Sequence, residues 1–207
     1  MRWLVVSVFL FSLCLSQVAD AQTFPQASIA VRAGYYLLPN WSKTYDVIYG
    51  NNGETMLGAK IALRFTNRWE VGLTADLVEG KGERVWPDGS NGWDKTGEEI
   101  SFELLPITIQ LCRYLSFESP MTPYFGLGLG YCSFKETEGS SKSGLGFLAL
   151  VGIEWSLSNS LCLLLESEYS SYPDIIGTGD LSHYYNEKDI GGLSLRLSAR
   201  YSFSLGV

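Results

Sequence analysis

The sequence has one histidine, four cysteines and, after its first 22 residues, no apolar stretch of about 18 residues that would predict a membrane-spanning helix. Basic residues are also in the minority: 15 lysines and arginines face 22 aspartates and glutamates in 207 residues, for a formal net charge of −7. A nucleic-acid ligand is not expected, because the basic surface that such a ligand requires is missing. If the mature chain enters a membrane, it does so with β-strands.

The few cysteines suggest neither a metal site nor disulfides. Cys112, Cys132 and Cys162 lie on three different predicted strands, and an odd number at these spacings matches no zinc motif and no disulfide framework. We therefore expect three buried free thiols, no metal and no cofactor.

Residues 1–21 have the features of a secretory signal peptide. Arg2 supplies the positive end, residues 4–15 form an apolar run, and Ala19-Asp20-Ala21 is a small-x-small cleavage site. The apolar run is shorter than the roughly 20 residues that span a bilayer. We predict cleavage after Ala21, which leaves residues 22–207 as one domain.

The chain is rich in glycine, with 22 residues, and in aromatic residues, which make up 14% of it, a composition that favours strands and turns. Within residues 123–134, every second position from Phe125 to Tyr131 is large and apolar, and the positions from Gly126 to Gly130 between them are glycine. A period of two predicts a β-strand with one apolar face and one nearly bare face. Glycine weakens a strand interior, so we expect these glycines where other atoms approach closely, as inside a narrow barrel.

The same alternation recurs along the chain and predicts eight strands. Short turns alternate with longer polar loops, which is typical of an up-and-down antiparallel meander with its long loops at one end. We therefore predict an all-β fold, an eight-stranded antiparallel up-and-down transmembrane β-barrel. The predicted strands cover residues 28–37, 57–65, 69–77, 99–114, 123–134, 144–155, 161–170 and 193–203.

Three local features concern the second, third and fourth strands. A tight turn at residues 66–68 would place Arg64 opposite Glu70 on the polar face. Residues 80–99 are polar and contain turn formers, so we predict a long loop there. In strand four the apolar alternation changes phase around residues 104–106, which include a proline, and this change predicts a β-bulge.

The direction of the apolar face distinguishes a membrane barrel from a soluble one. A lipocalin-like barrel would have this face inside, around a small ligand, whereas an outer-membrane barrel would have it outside, against lipid. Glycines on the polar face fit a crowded interior, and aromatic residues gather near both ends of the apolar face, as interface girdles do. Both observations favour an apolar face that points outward, against lipid. The aromatic residues are Phe65, Trp69, Trp155 and Phe203 near the short turns, and Tyr35, Tyr131, Phe147 and Tyr169 near the loops.

The polar face carries charges that nearly cancel. The positive side chains lie on strands one, two and eight, and closing the sheet would set them against acidic side chains across a narrow lumen. An unpaired charge buried there would cost several kcal/mol, so we predict a salt-bridged plug rather than a wide pore. The predicted charge network consists of Arg32, Lys60, Arg64, Glu70, Asp76, Glu154, Glu166, Glu168, Arg196 and Arg200.

Three segments carry a resemblance to a known family: Leu105-Pro106-Ile107-Thr108, the run from Pro123 to Tyr131, and the closing Arg200-Tyr201-Ser202-Phe203. Over residues 27–203 the chain resembles the bacterial outer-membrane protein β-barrel domain family, the small barrels of the OmpA-barrel, OmpX and opacity type. The resemblance implies a Gram-negative outer membrane, surrounding outer-membrane lipid, and periplasmic chain termini. It also implies recognition of the final strand by the barrel-assembly machinery, although four residues follow Phe203 here.

A structural or surface-binding, non-enzymatic role follows from this resemblance, with a narrow small-solute channel or a soluble lipocalin-like barrel as alternatives. Some outer-membrane barrels modify lipid A with serine and histidine. Here the only histidine, His183, adjoins Ser182, a geometry unsuited to a triad, so we predict no catalytic residue. Aromatic residues in the long loops are candidates for contact with a surface ligand. They are Trp41, Tyr45, Trp86, Trp93, Tyr184 and Tyr185.

Overall fold

Eight strands and one short helix make up the fold in the computed structural model, which describes residues 25–38, 42–50, 53–88, 92–115, 120–137, 141–176 and 184–205. No helix in these ranges is long and apolar enough to cross a membrane. The elements in chain order are β1 (Gln26–Leu37), α1 (Ser42–Ile48), β2 (Gly53–Arg64), β3 (Trp69–Pro87), β4 (Trp93–Tyr114), β5 (Met121–Glu136), β6 (Lys142–Ser156), β7 (Leu161–Ser171) and β8 (Leu193–Ser204).

The strands form a closed barrel in which each strand pairs antiparallel with its neighbours in sequence. The seam between β1 and β8 is paired from Gln26 opposite Ser204 to Leu37 opposite Leu193, so the barrel wall has no open edge. The predicted eight-stranded antiparallel up-and-down barrel is confirmed. The tight turn after β2 also has the predicted register, because Arg64 pairs with Glu70.

Side chains alternate between the two sides of the wall as the period of two predicts. Along β8, Leu195 and Leu197 are exposed on the outside, whereas Arg196 and Arg200 are buried inside. The apolar face therefore points outward all round the barrel, the reverse of a lipocalin-like arrangement. The large outward apolar residues form a belt that suits lipid rather than water.

The predicted loop at residues 80–99 is wrong, because most of it is a β-hairpin. Strands β3 and β4 continue past the barrel wall as residues 81–87 and 93–101, which pair with each other and form what we call the arm. Charged pairs join its two strands, among them Lys81 with Glu99 at 3.0 Å and Arg84 with Glu98 at 3.2 Å. Sequence periodicity missed the arm because most of its length has no buried apolar face.

The predicted bulge at residues 104–106 is also wrong. The pairs Ala75 with Ile107 and Val78 with Leu104 have the same register on either side of it, and the register shift lies instead between Glu83 and Val85. The change in polarity along β4 has another cause. Phe102 and Leu104 point inward into an apolar cluster, whereas Thr108 and Gln110 point inward into a polar layer.

The glycines of β5 lie on the inner face, where they allow close approach of neighbouring atoms. A Cβ on Gly128 would lie 2.4 Å from the carbonyl oxygen of Ile109, and one on Gly130 would lie 2.9 Å from the hydroxyl oxygen of Tyr172. The expected crowding is confirmed. The neighbours of these glycines are mainly apolar side chains and backbone.

Candidate functional site in the barrel lumen

Ten charged side chains meet inside the barrel, five positive and five negative, and all are buried. The positive ones project inward from β1, β2 and β8, and the negative ones from β3, β6 and β7. Ion pairs connect all of them. They are the residues of the predicted charge network, namely Arg32, Lys60, Arg64, Arg196, Arg200, Glu70, Asp76, Glu154, Glu166 and Glu168.

The half of the network nearer the long loops contains two arginines and three carboxylates. Arg196 contacts Asp76 at 3.3 Å and also pairs with Glu168. Arg32 lies 3.5 Å from Asp76 and 3.5 Å from Glu166. The carboxylate of Asp76 is thus shared by two guanidinium groups that come from the adjacent strands β1 and β8.

The half nearer the short turns contains three cations and two glutamates. Glu70 is approached by Lys60 at 2.9 Å, by Arg200 at 3.0 Å and by Arg64 at 3.6 Å. Glu154 accepts hydrogen bonds from Arg64, at 2.7 Å and 3.3 Å, and from Arg200. Lys60, which lies 4.0 Å from Glu166, connects this half to the other.

Aromatic rings close the network at the end with the short turns. The guanidinium of Arg64 stacks over the ring of Tyr114 at 3.6 Å, a cation–π contact. The ring of Tyr114 stacks in turn on that of Tyr124, with centroids 4.7 Å apart, and its hydroxyl donates to Glu70. We call Arg64, Tyr114 and Tyr124 the turn-end stack.

The inner face of β4 to β7 also carries an apolar lining that the sequence analysis missed. Leu148 and Leu150 point inward from β6, and Leu164 points inward from β7. Residues 147–151 are apolar at every position, so their period of two is hidden, and that unbroken run is the signal that could have revealed a strand apolar on both faces. The lining consists of Cys112, Tyr114, Tyr124, Leu148, Leu150, Cys162 and Leu164.

A larger apolar cluster fills the lumen at the loop end, and we call it the mouth cluster. Helix α1 contributes Tyr45 and Ile48, and the residue after it is Tyr49. The rings of Tyr45 and Tyr49 pack against Phe102 at centroid distances of 5.8 Å and 5.0 Å. The cluster consists of Tyr36, Leu38, Tyr45, Ile48, Tyr49, Met56, Val78, Ile100, Phe102, Leu104, Cys132, Phe134, Tyr172, Ile175, Ile176 and Ile190.

Three carboxylates hold helix α1 in the mouth. The hydroxyl of Tyr45 donates to Glu54 at 2.6 Å, and that of Tyr49 donates to Glu136 at 2.9 Å. Burial, reinforced by these carboxylates, raises the pKa of both tyrosines, so both hydroxyls remain protonated donors. Glu187 accepts hydrogen bonds from the backbone N–H groups of residues 43 and 44 at the start of the helix.

The aromatic contact candidates do not form a single surface. Tyr45 is fully buried in the mouth cluster, which corrects its assignment as a contact residue. Trp93 donates from its ring nitrogen to the hydroxyl of Tyr185 at 3.1 Å, and both pack partly against the mouth cluster. Trp86 and Tyr184 are exposed, at 60% and 62%.

Three predicted features lie outside the described residues, and one further prediction is confirmed. Trp41 and His183 are in the undescribed ranges, as is the signal segment 1–21. The three cysteines of the described barrel are buried and free, as expected.

Comparison with known proteins shows the fold. The chain matches no protein-family model and none of the curated proteins. Among solved structures, it is similar to the outer membrane protein OprG from Pseudomonas aeruginosa, with a TM-score of 0.57, 16% identity, and coverage of 89% of this chain and 100% of that one. The fold is that of the small outer-membrane barrels.

Two further structures have the same architecture. Neisserial surface protein A has a TM-score of 0.52 and 16% identity, with coverage of 87% of this chain and 97% of that one. Ail, the attachment invasion locus protein of Yersinia pestis, has a TM-score of 0.51 and 16% identity, with coverage of 87% and 100%. At this identity the likeness establishes the fold alone.

Proposed function

We propose that this chain is a non-enzymatic outer-membrane barrel whose lumen is plugged and whose loop end presents a binding surface outside the cell. The proposal rests on one observation: two groups of side chains fill the lumen, one after the other along the barrel axis. The charge network occupies its middle and its turn end, and the mouth cluster occupies its loop end. Such a barrel can stabilise the membrane and display its loops without conducting solutes.

The charge balance of the lumen supports a plug. An open water-filled channel keeps its charged side chains hydrated, whereas the ten charges here are buried and paired with one another. The turn-end stack adds two packed aromatic rings and a guanidinium across the other exit. A solute would have to displace both closures to pass.

The same proposal includes a route for export of the chain and its insertion into the outer membrane. Residues 1–21 act as a signal peptide that is removed after Ala21, and the barrel-assembly machinery inserts residues 22–207 among outer-membrane lipids. The closing strand β8 ends near the aromatic Phe203, whose side chain is exposed on the outer face.

Planar-bilayer recording tests the plug. We expect the purified protein to give no steady single-channel steps under conditions in which an open porin does. The double substitution Tyr45→Ala with Tyr49→Ala removes two rings of the mouth cluster, and it should also remain closed, because the charge network lies in series with the mouth.

One result would contradict the plug, and another would contradict only the closure by the charge network. Steady steps from the unmodified protein would favour the narrow small-solute channel. Steps from the tyrosine variant alone would mean that the mouth cluster closes the lumen and the charge network does not.

Labelling of lysines on intact cells tests the external position of the arm. The side chain of Lys81, on the arm, is 76% exposed, whereas that of Lys60, in the lumen, is 2% exposed. A membrane-impermeant amine reagent should therefore modify Lys81 on intact cells and leave Lys60 unmodified.

The short turn after β2 provides a matched control at the opposite end of the barrel. Arg68 is exposed there, so the variant Arg68→Lys should be labelled only after the outer membrane is permeabilised. Labelling of that lysine on intact cells, with Lys81 protected, would reverse the proposed orientation.

A further inference from the structure

The guanidinium of Arg32 is buried without a direct hydrogen bond. The residue is 3% exposed, and none of its three side-chain nitrogens has a hydrogen-bond partner among the described residues. Its ion-pair distances to Asp76 and Glu166, both 3.5 Å, are longer than the usual 2.7–2.9 Å or so of a charge-assisted hydrogen bond. A buried guanidinium in this state requires acceptors at closer range.

Glu166 is in the complementary state. It is 0% exposed and lies within hydrogen-bonding range of the Tyr124 hydroxyl, but neither carboxylate oxygen accepts a hydrogen bond from a basic side chain of the described residues. Its cationic neighbours are Arg32 at 3.5 Å and Lys60 at 4.0 Å. The donors of Arg32 and the acceptors of Glu166 thus face each other without a direct hydrogen bond.

Two hydroxyl groups accompany this pair, one beside Arg32 and the other beside Glu166. Ser198 is opposite Arg32 across the β1–β8 seam, and its hydroxyl has no partner among the described residues. Tyr124 crosses the inner face at Gly152, the residue that pairs with Glu166 on β7, and its hydroxyl lies within hydrogen-bonding range of Glu166. Strands β1, β5, β7 and β8 therefore all place polar atoms in the middle of the lumen.

We propose that a small cluster of water molecules binds at this place, bridging Arg32 and Glu166 and reaching the hydroxyls of Tyr124 and Ser198. Water fits because the site combines unused donors with unused acceptors, and one water molecule typically makes about three hydrogen bonds to such groups. An anion would face the carboxylates of Glu166 and Asp76, and a cation would face Arg32.

The cluster is enclosed on both sides along the barrel axis. The turn-end stack lies toward the short turns, and the mouth cluster lies toward the loops. Its water should therefore exchange with bulk solvent much more slowly than water at the protein surface. The proposed water site depends only on polar atoms inside the lumen. It is therefore independent of any partner that the loops bind.

The test combines crystallography with water-detected NMR of the full mature barrel. A crystal structure that resolves solvent should show water oxygens about 2.7–3.2 Å from Arg32 nitrogens and Glu166 oxygens. In detergent micelles, the Nε–H proton of Arg32 should give a nuclear Overhauser cross-peak to water. A direct Arg32–Glu166 hydrogen bond with no water between, or an anomalous bromide peak there after a bromide soak, would overturn the proposal.

Two single-hydroxyl variants keep the test independent of folding. Tyr124→Phe should retain heat-modifiable mobility on gels and should lose the water molecule bound to the hydroxyl. Tyr36→Phe is the matched control, because the hydroxyl of Tyr36 already pairs with Ser170 at 2.8 Å. The control should leave the Arg32–water cross-peak unchanged, and an unchanged water structure in Tyr124→Phe would contradict the site as proposed.

Discussion

Leu127→Arg is expected to destabilise the barrel in a lipid bilayer by about 2–4 kcal/mol, the cost of a basic side chain on the lipid face near the membrane midplane. Leu127 is 67% exposed, it lies in the middle of β5, and its neighbours across the sheet are Leu111 and Ala149, which also face outward. An arginine there would lie in hydrocarbon with no carboxylate on the same face beside it. Reversible denaturant unfolding in lipid vesicles, followed by heat-modifiable gel mobility, measures the change.

The matched control is Leu127→Phe at the same site. Phenylalanine keeps the outer face apolar, so its effect should be within about 1 kcal/mol, as for other hydrophobic exchanges at well-tolerated positions. If Leu127→Arg were as stable in vesicles as Leu127→Phe, the apolar belt would not face lipid. Recovery of the unmodified protein in the soluble fraction without detergent would lead to the same conclusion.

The barrel could be predicted from sequence alone because most strands have one apolar face and one polar face. In β8, leucines alternate with serines and arginines, so the strand and its faces follow directly from the period. The pairing of Arg64 with Glu70 could also be predicted, because a tight turn fixes the register of the strands that it joins. Local pattern and local geometry were sufficient for these features.

The features that sequence missed are those in which the two faces of a strand have the same character. Residues 147–151 are apolar on both faces, so the inward orientation of Leu148 and Leu150 left no signal. The arm has the opposite problem, because charged residues occupy both of its faces. The predicted bulge in β4 was wrong because the change in polarity along this strand reflects a change of surroundings inside the barrel, not a change of register.

Apart from Arg64 with Glu70, the partners within the charge network were beyond prediction from sequence. Which carboxylate meets Arg196 depends on the stagger of eight strands around a closed barrel, because Asp76 is on β3, three strands away around the wall from β8, with β1 and β2 between them. Sequence indicated which charges share the lumen. Closure of the sheet determines how they pair.

The pairing makes Arg196→Met the most informative change in the lumen. Arg196 is 1% exposed, and its guanidinium contacts both Asp76 and Glu168. Removing it leaves two carboxylates buried with fewer partners, which is expected to cost about 3–5 kcal/mol. Asp76 keeps Arg32 at 3.5 Å, and among the described residues Glu168 keeps a hydrogen bond from the amide of Gln110 at 3.2 Å. Unfolding in vesicles measures the loss.

Two further variants separate the loss of a buried charge from the loss of packing. The double variant Arg196→Met with Glu168→Met should be more stable than the sum of the single effects predicts, because it removes a carboxylate together with its partner. Lys81→Met, which breaks the exposed pair with Glu99 on the arm, should change stability by no more than about 1 kcal/mol. If Arg196→Met cost as little as Lys81→Met, the lumen would be hydrated enough to screen its charges, and a conducting barrel would replace the plugged one.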